Sequence, residues 1–198
     1  PEPIGALSDF SDSGRAPDAM VIGPGIGREE ESMEAVRSII SLSVRKSIPL
    51  VIDADAISAL PVGKWPDGLV GVATPHSGEA GRWLSEASPL EALADCTKEE
   101  SAIVITGHED EIFGPGGRYC NATGGHPRMA VSGTGDLLAG AIGGLLAQGM
   151  APWPAARLAC AVLREAGSKA AQEKGPGLLA DDVPVHIAHT LSEWVGAR

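Results

Sequence analysis

Four short apolar runs, each closed by a polar or glycine-rich cluster, constrain this chain more than any other feature of it. Ala19–Ile22 leads into Gly23-Pro24-Gly25-Ile26-Gly27, and Pro49–Ile52 into Asp53-Ala54-Asp55. Leu69–Ala73 leads into Thr74-Pro75-His76, and Ala102–Ile105 into Thr106-Gly107. Runs that are apolar throughout, without alternation, are strands buried on both faces. Between the first two, Met33, Val36, Ile40 and Val44 recur at helical spacing over Glu29–Lys46, with acidic residues at the start to favour the helix dipole. A helix from Gly78 to Leu84 and a second helical stretch over Pro89–Glu100 separate the third run from the fourth. Strands alternating with helices predict an α/β fold with a mainly parallel central sheet flanked by helices.

The texture changes near residue 110. Glu111–Phe113 and Arg118–Cys120 flank Gly114-Pro115-Gly116-Gly117, which predicts a β-hairpin within 110–121. The C-terminal third reads as three helices, Gly135–Gln148, Pro152–Lys174 and Ala180–Val195, with Trp153 and Trp194 as packing residues. A length of 198 residues predicts a single domain over 1–198.

Charge narrows the partners. Fifteen Lys and Arg against 26 Asp and Glu leave a formal charge of −11, so the summed field repels nucleic acid and anionic lipid. A local anion site made of backbone N–H groups needs no net positive charge and remains open. Aromatic residues make up 4% of the chain, too few for the stacking platforms of single-strand binders. Cys96, Cys120 and Cys160 are odd in number and widely spaced, against a disulfide scaffold or zinc ribbon and in keeping with a reducing, cytoplasmic compartment. Apolar runs stay well short of the ~18 residues of a membrane span, so no membrane partner is expected.

In an open parallel sheet, ligands bind beyond the carboxyl ends of the strands, where the polar clusters of this chain fall. The most specific stretch is Ser132-Gly133-Thr134-Gly135-Asp136-Leu137-Leu138-Ala139-Gly140. Its glycines let the backbone turn N–H groups toward an anion, and a helix beginning there adds its positive end. Asp136 is badly placed to bind phosphate and well placed to take a proton from a hydroxyl that attacks phosphorus. The competing reading is that it caps the helix. The stretch is not a P-loop, since no Gly-Lys-Ser/Thr follows, and Gly23–Gly27 lacks the last glycine of a dinucleotide fingerprint. His186 and His189 have metal-like spacing without a third ligand, and are read as surface residues.

The ordered set G-P-G-I-G (23–27), I-D-A-D-A (52–56), T-P-H-S-G-E (74–79) and S-G-T-G-D-L-L-A-G (132–140) resembles the ADP-dependent NAD(P)H-hydrate dehydratases, a branch of the ribokinase-like superfamily. The resemblance runs from about Ala19 to Leu191, with Gly177–Asp182 similar to the entry of the family's closing helix. It implies a ribokinase-like fold and a repair reaction in which ADP (or ATP) phosphorylates the C6 hydroxyl of hydrated NADH or NADPH, assisted by Mg²⁺. Phosphate then leaves, and NAD(P)H and AMP remain. The implied base is Asp136, with Gly25, His76 and Asp136 on the hydrated dinucleotide and Gly107, Gly133, Thr134 and Gly135 on the nucleotide. No protein metal ligand is assigned, although Asp53 and Asp55 could organise Mg²⁺ through water, and Glu79 could cap or pair locally. A homo-oligomer is also implied.

Three places depart from the family pattern. Thr106-Gly107 stands where Lys-Gly is usual, and His126-Pro127-Arg128 where Asn-Pro-Gly is usual, so that Arg128 could restore a cation near the phosphates. The third is that no βα unit with a substrate loop is legible before Ala19, which predicts a domain incomplete at its N-terminus. The rival functions are an ATP-dependent small-molecule kinase of the same superfamily and a catalytically silent nucleotide-binding module.

Overall fold

The computed structural model describes residues 16–97 and 100–196. Six strands form one sheet in sequence order: β1 (Met20–Ile22), β2 (Leu50–Ile52), β3 (Gly71–Ala73), β4 (Ser101–Ile105), β5 (Asp110–Gly114) and β6 (Arg118–Ala122). β1 to β4 are parallel, in registers such as Val21↔Val51↔Val72↔Ala102, and β5 and β6 are antiparallel. Each parallel step moves the same way along the sheet, so right-handed crossovers put their connections on one face. These connections are α1 (Glu30–Lys46), a 3₁₀ turn (Ala54–Ala59), α2 (Ser77–Leu84) and α3 (Pro89–Ala92). The opposite face carries α4 (Thr134–Ala147) and α5 (Pro152–Lys174), and α6 (Val183–Gly196) packs on α5.

Because side chains alternate across a strand, each strand divides its apolar residues between two cores. Leu50, Ile52, Ala73 and Ile103 join Met33, Val36 and Ile40 of α1 on the crossover face. Val51, Val72, Ala102 and Val104 meet Leu138 and Ile142 of α4 and Ala155, Ala159 and Cys160 of α5 on the other. Burial on both faces is the reason β2, β3 and β4 lack polar alternation. β1 is a correction, since this end strand of the order is only partly covered and Val21 is 40% exposed.

Most expected elements stand within a residue or two of their positions. The helical stretch over Pro89–Glu100 is a correction: only Pro89–Ala92 is helical, and residues 98–99 lie outside the described residues. Ser88 and Glu91 start the helix with a capping box, but the Ala92 carbonyl accepts from the Trp65 N–H and is lost to a continuing helix. Trp153 packs in the core as expected, whereas Trp194, at 43% exposure, does not. His186 is also not a surface residue. Its imidazole is largely covered, with Nε2 3.3 Å from Glu173 Oε2 and its ring edge-on to His189. The expected absence of a βα unit concerns a segment whose residues 1–15 lie outside the described ones. No helix among the described residues is long and apolar enough to cross a membrane.

Candidate functional site

Parallel strands deliver their carboxyl ends to one edge of the sheet, and the antiparallel hairpin returns the chain to that same edge after Ala122. Five segments therefore converge there: Gly23–Arg28, Asp53–Asp55, Thr74–Glu79, Thr106–Asp110, and the run from Thr123 to Asp136.

The first three segments are tied by side chains. Gly23 has φ +126°, and a Cβ on it would collide with the Asp53 carbonyl, so only glycine lets β1 end against β2. The Gly27 N–H and Arg28 Nε donate to the Asp55 carboxylate at 3.2 and 2.6 Å. Arg28 Nη2 reaches within 3.9 Å of Glu79 Oε1, so one guanidinium spans the glycine loop, the β2 end and α2. Asp53 accepts from the Thr74 hydroxyl at 2.8 Å, which joins the ends of β2 and β3. Ala54 beside it is held in the left-handed region at φ 48°, a conformation costly for a residue with a Cβ.

Asp53 is 6% exposed, and burial pushes its carboxyl above the ordinary 3.8. The Thr74 hydroxyl and Ala54 amide oppose that rise, while the charges of Glu79 and Asp136 add to it. Asp53, Glu79 and Asp136 thus share one electrostatic neighbourhood at the strand ends.

His76 caps α2: its Nδ1 accepts from the Gly78 and Glu79 amides at 3.0 and 3.4 Å, and the Glu79 carboxylate accepts from the His76 N–H at 3.0 Å. Glu79 is therefore the local cap anticipated for it. With Nδ1 accepting, the proton of the uncharged ring sits on Nε2, which lies 3.4 Å from Glu79 Oε1 on a half-exposed side chain at the rim of the site.

On the other side, Gly133 caps α4 in the left-handed conformation at φ 95°, and Thr134 Oγ1 donates to the Met129 and Val131 carbonyls. Asp136 lies in the first turn of α4, exposed, and accepts no hydrogen bond from any described residue. It does not cap its helix; Gly133 occupies that position. Gly25 is exposed in its loop with open space around it. Gly107 is exposed, but its N–H donates to Asp110 and its carbonyl accepts from Arg164, so both backbone groups are engaged. Gly135 is exposed in the first turn of α4. Arg128 sits exposed on a 3₁₀ turn capped by His126.

The structure thus brings Gly25, His76 and Asp136 to one edge with Gly107, Gly133, Thr134 and Gly135. Sequence reasoning missed Arg28 and Arg164. A cation directly after the glycine loop marked the first, and a charge on the apolar stripe Ala156-Cys160-Leu163-Gly167 of a long helix marked the second.

Known proteins share this fold. Among solved structures, a hypothetical protein of Streptococcus mutans superposes with a TM-score of 0.74 at 24% identity, covering 95% of this chain and 70% of that one. The ADP/ATP-dependent NAD(P)H-hydrate dehydratase of Bacillus subtilis, co-crystallized with ATP/Mg²⁺, gives 0.68 at 23% identity, covering 89% and 65%. A ribokinase-like superfamily protein of Enterococcus faecalis gives 0.64 at 26% identity, covering 87% and 63%, and with it these likenesses establish the ribokinase-like fold. In sequence, the ADP-dependent (S)-NAD(P)H-hydrate dehydratase of Haloterrigena turkmenica is 36% identical, with 88% of this chain and 63% of that protein aligned. The bifunctional NAD(P)H-hydrate repair enzyme of Moorella thermoacetica is 35% identical over 90% of this chain and 36% of its own length. The chain thus spans less than two thirds of either relative. A profile of the NAD(P)H-hydrate dehydratase family matches residues 6–189, and with it the glycine loop, the histidine cap and the Gly133–Asp136 turn. The chain belongs to the NAD(P)H-hydrate dehydratase family.

Proposed function

We propose that this chain carries out, or forms the core of a protein that carries out, the nucleotide-dependent dehydration of hydrated NADH or NADPH in the cytoplasm. The observation that carries the reading is Asp136, an exposed carboxylate that accepts no hydrogen bond from any described residue at the N-terminus of α4, in a chain of this family. A carboxylate left without a partner among backbone donors is available to accept a proton.

In this reading the C6 hydroxyl of the hydrate gives its proton to Asp136 as its oxygen attacks the β-phosphorus of ADP. The new O–P bond forms as the bond to AMP breaks. Phosphate then leaves C6 with the bonding electrons, a proton is lost from C5, and the ring double bond returns. Gly133 and Gly135, at the start of a 14-residue helix, present the α4 end to the negative charge of the transferring group. His76 offers Nε2–H to the dinucleotide, and the Arg28 clamp holds the Gly25 loop beside it.

Among the described residues no group of three or more His, Cys, Asp or Glu could hold a metal ion by itself, so magnesium would arrive carried on nucleotide phosphates. Asp53 is close enough to Glu79 and Asp136 for their charges to act on it, and Mg²⁺ takes hard oxygen ligands while keeping much of its water. Such an ion, when bound, neutralises phosphate charge. Self-association of the chain belongs to the same reading, and sedimentation velocity reads it directly.

The test mixes the protein with NADH hydrate, MgCl₂ and ADP and follows the reduced-nicotinamide absorbance and AMP. Asp136→Asn keeps the shape and removes the base, and is expected to lose roughly 10²- to 10⁴-fold in kcat. Equal rates in both proteins would remove Asp136 as the base. A lasting phosphoester, in place of free phosphate, would favour a small-molecule kinase.

A further inference from the structure

Arg164 stands outside every motif and is bonded more fully than any residue within them. It projects from the middle of α5, its side chain only 10% exposed, and bonds three carbonyls in two separate stretches of backbone. Its Nε donates to Asp110 Oδ2 at 2.8 Å, and Asp110 Oδ1 accepts in turn from the Gly107 N–H. Nη1 donates to the carbonyls of His108 at 2.7 Å and Gly124 at 2.8 Å, and Nη2 to that of Gly107 at 3.0 Å. Gly107, His108 and Gly124 are themselves exposed.

One planar fork therefore fastens the loop after β4 to the run after β6, and anchors both to a rigid helix. From Gly124 the run continues through the His126-capped turn to Met129, whose carbonyl accepts from Thr134 at the start of α4. Met129 also packs against Gly167, one turn further along α5 than Arg164. The separation between the β4 loop and the Gly133–Gly135 turn is thus set from α5. The family resemblance assigns these two segments, through Gly107 and Gly133–Gly135, to the nucleotide of the proposed function, on which this inference rests.

Stability alone is a weak reason for such a group. A buried ion pair contributes little beyond what apolar residues of the same volume would. Geometry supplies the reason: a guanidinium has five donors in a fixed fork, and an ammonium, as a single point, cannot span the same three carbonyls. We propose that Arg164, locked by Asp110, is a positioning residue that sets the affinity of the site for a nucleoside diphosphate by fixing the spacing of its two nucleotide-side loops.

The experiment titrates ADP with MgCl₂ calorimetrically into the wild-type chain, Arg164→Lys and Leu163→Ala, with thermal melts of each and KM for NADH hydrate in parallel. Leu163 is buried in the same helix against the core and makes none of the loop bonds, so it controls for destabilisation. Arg164→Lys is expected to weaken ADP about tenfold or more, with KM for the hydrate within about twofold. Leu163→Ala is expected to lower the Tm while leaving ADP affinity at the wild-type value. Should Arg164→Lys fail to fold, the pair Arg164→Met with Asp110→Leu removes the clamp and keeps the volume, and the same loss of ADP affinity is expected. Unchanged ADP affinity in a folded Arg164 variant, or an equal loss in Leu163→Ala, overturns the positioning role and leaves the proposed function standing. A wild-type chain that does not bind ADP overturns the functional reading, and this inference with it.

Discussion

Asp53 illustrates how a single carboxyl group acquires a character its sequence neighbours do not reveal. Next to Asp55 in the same turn, it is buried against Thr74, while Asp55 faces Arg28. Burial, with the charges of Glu79 and Asp136, raises its pKa above 3.8. A folded value above the unfolded one means that the native state holds the proton longer. The stabilising contribution is then complete below the unfolded value and is lost as pH rises through the folded one. Asp53→Asn cannot ionise and escapes that loss, while its side-chain oxygen still accepts from Thr74. Relative to wild type, the variant is expected to gain stability between about pH 4 and about pH 7, read as the difference in Tm at the two values. A difference constant with pH would show that ionisation of Asp53 is not coupled to folding.

At the scale of elements, the start of α2 combines two demands on His76. Its Nδ1 satisfies two amides of the first turn, and its Nε2, 3.4 Å from Glu79 Oε1 on a half-exposed side chain, is the donor the proposed function gives to the dinucleotide. The two demands separate by substitution. His76→Ala removes both, and is expected to cost about 0.5–2 kcal/mol of stability as well as affinity for the dinucleotide. His76→Asn retains a good cap and loses the Nε2 donor, so stability should return nearly to wild type while KM for the hydrate stays raised. Denaturant titration beside steady-state kinetics reads both. Recovery of KM together with stability would reduce His76 to a cap. Of this cap the sequence offered only Glu79, because histidine is not among the usual N-cap residues; the two-amide bond of His76 Nδ1 appears only in the structure.

Across the whole molecule, the sheet is one wall shared by two cores. Ile103 and Val104 are adjacent and fully buried, yet belong to opposite sides. Truncating Ile103 to Ala on the crossover side, or Ile142 to Ala on the α4 side, is expected to cost about 2–5 kcal/mol each. Trp65 and Trp83 lie in the first core and Trp153 in the second, so fluorescence of single-tryptophan variants reports the two sides separately. Because the strands are common to both, either truncation should shift both signals to the same lower denaturant midpoint. Midpoints that separate would show two cooperative units.

The sequence by itself determined the layers and the edge that matters. Apolar runs without alternation require burial on both faces, and the polar residues that end them must emerge together when the strands are parallel. It also singled out Asp136, a carboxylate among glycines where a helix begins, while Gly25 and His76 entered through the family resemblance of their motifs. Only the tertiary structure decided which polar groups meet. Nothing local says that Asp53 would pair with Thr74, or Asp55 with Arg28, since those partners are brought together by strand order and register. Nothing local says that Ala92 would lose its carbonyl to Trp65 and end α3 after a single turn. Arg164 is the furthest case: its partners are 40 to 57 residues away, and its role exists only because α5 lies beneath two loops at one end of the sheet.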